Sequence, residues 1–143
     1  MTNQRNAYIL IVALLLILIG TGIYYFFRAP IIAFSKFRIA SGEYIACNTN
    51  HPLVYFAVYC LPDALWYLSL LLVQTLFLKE KGWLNRFLVG VAVSLPFLWE
   101  VGQYFGGLSG TFDWVDIITY CFTLILFLLC LRRTSLLLHS KQL

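Results

Sequence analysis

A chain of 143 residues that is 62% hydrophobic and only 11% charged lies far outside the composition of a soluble domain and reads as a membrane protein. Ten Lys and Arg against six Asp and Glu leave a net charge of +4, and nothing in their placement points to a nucleic-acid partner. The twelve Phe, nine Tyr and four Trp fit helices whose ends sit at a lipid headgroup boundary.

A bilayer-crossing helix takes about 20 residues at about 1.5 Å rise each. The first such stretch runs from Ala7 to about Phe27; it exceeds a signal-peptide core and is followed by no small-x-small cleavage site, so it is read as a retained span. The second is apolar from Leu53 to Leu78. Pro62 lacks the amide donor that a helix interior needs and is better tolerated in a first turn, so the span is placed at 60–78 with its firm start near Pro62. The third covers 83–105, with Pro96 as a kink that neighbouring helices or side chains must compensate. The fourth covers 112–131 and stops at Arg132 and Arg133, which read as a stop and a contact with anionic lipid. The expectation is all-α: an integral membrane bundle of four transmembrane helices, forming one domain over 1–143.

Short cytoplasmic segments retain an excess of Lys and Arg. With the amino terminus inside, that side receives Arg5, Lys79, Lys81, Arg86, Arg132, Arg133 and Lys141, and the other side only Arg28, Lys36 and Arg38. Both termini are therefore expected in the cytoplasm. The connection from Arg28 to about Leu61 is then the main external segment, read as an interfacial loop covering the helix ends.

Four carboxylates fall within or beside these apolar spans: Asp63, Glu100, Asp113 and Asp116, with Gln103 among them. Counting from the cytoplasmic ends, Leu78 to Asp63, Arg86 to Glu100 and Leu131 to Asp116 each rise roughly 21 to 23 Å, so three acids on three helices reach one level. Asp113 and Asp116 share a helix face, as do Glu100 and Gln103; Trp66 and Tyr67 lie about one turn inward of Asp63, and Tyr120 about one turn inward of Asp116. An acidic residue at mid-bilayer opposes insertion by about 2.5 to 3.5 kcal/mol, so several facing lipid would be prohibitive. The acids should instead face the bundle interior or a wet funnel, where close carboxylates can share a proton. The competing structural reading is that Arg28, Lys36 and Arg38 fold over and neutralise them.

Three blocks in the stretch 62–123 resemble the VanZ-like family of small bacterial membrane proteins, named for a protein associated with teicoplanin resistance. Pro62-Asp63-Ala64-Leu65-Trp66-Tyr67 is similar to the family's aspartate-led helix start, Glu100-Val101-Gly102-Gln103 to its Glu-x-x-Gln element, and Gly110-Thr111-Phe112-Asp113-Trp114-Val115-Asp116 to the block that enters its last helix. Many relatives carry Lys and His where this chain has Ala64 and Tyr67, and Arg and Asn about where it has Gly110 and Tyr120. The chain thus resembles a divergent branch that keeps the acids and loses much of the basic complement. The resemblance implies a role at the cell envelope in a bacterial cytoplasmic membrane, and names no molecular activity.

Weaker constellations remain. Cys47, Cys60, Cys121 and Cys130 lack the spacing of a zinc or redox motif, so packing is the default for those that are buried, with an external Cys47–Cys60 pair as the alternative. His51 and His139 have no evident nucleophile partner. Gly102, Gly106 and Gly110 repeat at four-residue spacing, which would permit close helix contact, although 106–110 reads better as a tight turn; no phosphate loop is present, since no Gly-Lys-Ser or Gly-Lys-Thr follows.

The candidate functional residues are therefore Asp63, Trp66, Tyr67, Glu100, Gln103, Asp113, Asp116 and Tyr120. The first functional expectation is an acidic cavity that engages a polar or cationic group of an envelope lipid, glycolipid or glycopeptide-like ligand, walled by Trp66, Tyr67, Trp114 and Tyr120 and oriented by Gln103. Alternatives are a small proton- or cation-coupled transporter, completed by homo-oligomerisation, and a structural subunit whose polar groups fix helix register. No cofactor is identified, although the oxygen-rich set would suit a divalent cation such as magnesium or calcium, and with it an acid–base enzyme of unassigned reaction.

Overall fold

The computed structural model describes residues 2–27, 51–77, 82–108 and 112–139. They form four helices: α1 (Thr2–Phe27), α2 (Pro52–Phe77), α3 (Trp83–Tyr104) and α4 (Trp114–His139). Each contains a stretch long and apolar enough to cross a membrane, so the chain is an all-helical, multi-pass membrane protein. The expected interfacial loop lies outside the described residues. The end of the bundle where α1 finishes and α2 begins is termed the upper end; it also holds the end of α3 and the start of α4.

The second helix begins at Pro52, ten residues before Pro62. Pro52 sits in its first turn, where a missing donor costs nothing, and His51 caps it: Leu53 N–H donates to His51 Nδ1 at 3.3 Å. Pro62 therefore lies inside a continuous helix, immediately after a π-helical turn at Phe56–Cys60 in which Leu61 N–H reaches back to Phe56 O. The wider turn gives the chain a way to carry a proline within the helix, and π-turns of this kind are frequent at functional sites.

α2 is the central helix and packs against each of the other three. Its seam with α1 is built from small residues: Ala13 and Gly20 on α1 face Ser69 and Pro62 on α2, two matching seven-residue steps running in opposite directions. Ser69 Oγ donates to Ala13 O at 3.0 Å, and a Cβ at Gly20 would stand 2.9 Å from Trp66 Nε1 and 3.2 Å from Pro62 O. Close backbone approach of this kind is how membrane helices gain packing where lipid removes the hydrophobic drive. Trp66 closes the seam by lying against Tyr24, ring centroids 5.2 Å apart.

On the other side of α2 the core consists of Tyr67, Leu71 and Phe127, with Val93, Phe97, Tyr120 and Leu124 packed around it. Tyr67 O–H donates to Val93 O at 2.9 Å, one residue along from Ala92 O, whose usual donor is removed by Pro96. The neighbouring helix thus supports the proline-bearing turn of α3, as Pro96 requires. Outward faces are apolar, as lipid demands: Leu14 and Leu18 on α1, Phe87 and Leu88 on α3, and Leu128 and Leu129 on α4 are all exposed.

Candidate functional site: the acidic upper end

Among the described residues Glu100 is the most deeply buried carboxylate, 3% exposed near the end of α3. Its Oε2 accepts from the backbone N–H of Asp113 at 3.3 Å, and Asp113 Oδ1 in turn accepts from Val115 N–H at 2.8 Å. Asp113 is thus the capping residue of α4, satisfying an amide that the first turn leaves without a helical partner. The two acids form a relay that fastens the start of α4 to the end of α3.

The connecting turn explains how they meet. Gly106 N–H donates to Gln103 O and Gly107 N–H to Gly102 O, both at 2.9 Å, with Gly106 at a φ of 69°. That is a Schellman ending, and its left-handed residue suits glycine because no Cβ meets the preceding carbonyl. The side chain of Leu108 then folds over Gly102, where an added Cβ would stand 2.5 Å from Leu108 Cδ1. Gly102 and Gly106 consequently serve the turn, not a helix–helix seam; Gly110 lies outside the described residues.

Cys60 marks where the remaining acids gather. Its thiol is buried and free, lies within electrostatic range of Asp116, Asp63 and Asp113, and interacts with the Thr119 hydroxyl. Tyr55 is within range of Asp113, Asp116 and Cys60 and stacks on Tyr59 at 4.9 Å. Thr119 is buried, and its carbonyl accepts from Thr123 Oγ1 at 2.8 Å. Acids from α2, α3 and α4 therefore occupy one neighbourhood, with two tyrosines and a thiol that the sequence argument did not place there. Cys47, the proposed partner of Cys60, lies outside the described residues.

Below the acids lies an aromatic floor. Tyr67, Phe97 and Tyr120 each sit about one turn below an acid of their own helix, respectively Asp63, Glu100 and Asp116. Their rings meet edge to face, with centroids 5.5 to 6.0 Å apart. Such pairs contribute about 0.5–1.5 kcal/mol beyond the area they bury. Tyr67, at 2% exposed, belongs to this floor and the core beneath it.

The other candidates divide between site and support. Gln103 keeps its carboxamide oxygen buried, and Asp63, Gln103, Asp116 and Tyr120 are all engaged in interactions. Trp66 turns toward α1, and Trp114 is exposed, in edge contact with Phe112, which also meets Tyr104. That exposed string is an interfacial belt at the upper rim. Among the described residues no group of three or more His, Cys, Asp and Glu is arranged to hold a metal ion. Arg28, Lys36 and Arg38, the cations invoked by the structural alternative, lie outside the described residues.

No protein-family model, curated protein or solved structure matches the chain.

Proposed function

We propose that this chain is a divergent VanZ-like protein of a bacterial cytoplasmic membrane, with both termini inside, whose outward-facing acidic end binds the polar or cationic part of an envelope lipid or glycopeptide-like molecule and thereby alters antibiotic resistance. The observation that carries this reading is that Asp63, Asp113 and Asp116 all lie within electrostatic range of Cys60, with the floor of Tyr67, Phe97 and Tyr120 one turn below the acids of their helices. Carboxylates brought together at one end of an apolar bundle are costly to insert, and a ligand supplying N–H or O–H donors would repay that cost. The same floor counts against a polar path between α2, α3 and α4, since the rings of Tyr67, Phe97 and Tyr120 fill that space below the acids.

Glu100→Gln, Gln103→Ala and Asp116→Asn test the reading in cells challenged with envelope-directed antibiotics. Each variant should reach the membrane at the parent level and lose the parent's resistance phenotype. Parental behaviour by all three would overturn the proposal.

One observation favours a second, structural reading: Glu100 accepts the Asp113 amide and so holds α4 to α3. Glu100→Gln separates the two, because glutamine retains an acceptor oxygen for that amide and lacks the charge. Loss of phenotype with normal accumulation favours binding; an unaltered phenotype favours the fastening role.

A further inference from the structure

The basic residues among those described lie at the lower end of the bundle, opposite the acids: Arg5 on α1, Arg86 on α3, and Arg132 and Arg133 on α4, all exposed. Every described Asp and Glu, by contrast, lies toward the upper end. The link between α2 and α3 adds Lys79 and Lys81 against Glu80 in the sequence. Charge is thus sorted along the bundle, although the net excess over the chain is only +4.

Helix rise puts these arginines at one depth. Each of three helices carries an exposed ring at the upper rim, and Tyr25 to Arg5, Tyr104 to Arg86 and Trp114 to Arg132 all span roughly 27 to 30 Å. A hydrocarbon core is about 30 Å thick, and Tyr and Trp settle at its boundaries. With the upper rings at one boundary, the arginines therefore stand at the other, at the level of the lipid phosphates. Tyr8 and Trp83, both exposed, lie one turn from Arg5 and Arg86 and mark that second boundary independently. Arg86 starts one turn deeper than Trp83, a depth from which a long apolar stem still delivers its charge to the headgroup layer.

We infer that the lower end is an interaction surface for anionic phospholipid, whose phosphates are drawn to Arg5, Arg86, Arg132 and Arg133 on three sides of the bundle. Charge complementarity selects an anionic headgroup over a zwitterionic one. Depth selects a lipid over a soluble acidic partner, because the cations lie within the headgroup layer and beside the rings that border it. Nothing in this surface depends on what the acidic end binds, so the two can fail separately.

The test uses the full chain reconstituted in phosphatidylcholine vesicles containing a trace of phosphatidylglycerol or phosphatidylcholine with a spin-labelled acyl chain. The motionally restricted fraction of each label gives its relative association with the protein. Phosphatidylglycerol should associate roughly fivefold more strongly than phosphatidylcholine, equivalent to about 1 kcal/mol, the effect of one Arg beside an anionic surface. Replacing all four arginines (Arg5→Gln, Arg86→Gln, Arg132→Gln and Arg133→Gln) should bring that ratio to about one while leaving the restricted phosphatidylcholine fraction at the parent level, which shows that the bundle is intact. The matching set of four Arg→Lys replacements keeps the charge and should keep the preference, and added salt should weaken it in the parent. Equal association of the two lipids with the parent, a preference that survives the four Gln replacements, or one that the four Lys replacements abolish would each overturn the anionic-lipid surface. Displacement of phosphatidylglycerol by inorganic phosphate, and not by chloride of the same ionic strength, would overturn the assignment to a lipid.

Discussion

Along the α1–α2 seam the backbones approach because Ala13 and Gly20 meet Ser69 and Pro62, whereas between α2, α3 and α4 the space is filled by the rings of Tyr67, Phe97 and Tyr120. The two solutions suit different tasks. A seam of small residues leaves no room for a ligand and joins two helices along much of their length. A floor of rings spaces three helices apart, so that side chains above it can face one another. Among the described residues Glu100 and Thr119 are buried above the rings, while the buried polar residue of the seam is Ser69.

The largest expected effect breaks the seam. Gly20→Leu forces a side chain against Trp66 and the Pro62 carbonyl and should cost about 3 kcal/mol, read by reversible unfolding in mixed micelles. Gly90→Leu on α3 is the control, since a Cβ there meets nothing within 4 Å and stability should not change. Equal losses from the two would mean that close packing does not distinguish the regions.

A smaller effect acts on the turn that brings Glu100 to Asp113. Gly106→Ala places a Cβ in the left-handed region and should cost about 1 kcal/mol, with faster amide exchange at Asp113 and Val115 than in the parent. Unaltered exchange would show that the acid relay holds without the turn.

The smallest sharpens the contrast from the other side. Tyr67→Phe keeps the ring and removes the bond to Val93 O, so it should cost only about 0.6 kcal/mol, the average for a side-chain hydrogen bond inside a membrane bundle. A loss several times larger would mean that the hydroxyl, not the ring, secures the proline-bearing turn of α3.

The four spans were legible in the sequence because lipid imposes one simple demand, about 20 apolar residues per crossing, and Ala7, Trp83 and Leu131 fall close to where that demand begins or ends. The start of α2 was not legible. Pro62 carries the same local signal whether it opens a helix or sits behind a π-turn, and only His51 with Pro52, a capping residue followed by a tolerated proline, marked the earlier start. Helix rise picked out Tyr67 and Tyr120 one turn below their acids but missed Phe97, because a phenylalanine in an apolar run carries no distinguishing mark. Cys60 and Thr119 were missed for a related reason: small, weakly polar groups become informative only when a neighbouring helix brings acids to them. The Tyr55–Tyr59 pair does carry a signal, a four-residue step of like rings, but it falls in the stretch that a helix start near Pro62 leaves to the connection.

The π-turn at Phe56–Cys60 acts as a phase shift within α2. One residue more than an α-helical turn would use changes the azimuth of everything above it by roughly 100° relative to everything below. The stacked tyrosines and the Asp63–Tyr67 pair are therefore aimed independently, and deleting one residue from the turn would leave the lower half of the helix seated while swinging Tyr55 away from Asp113 and Asp116. Aim at the rim and grip in the core are set by separate parts of a single helix.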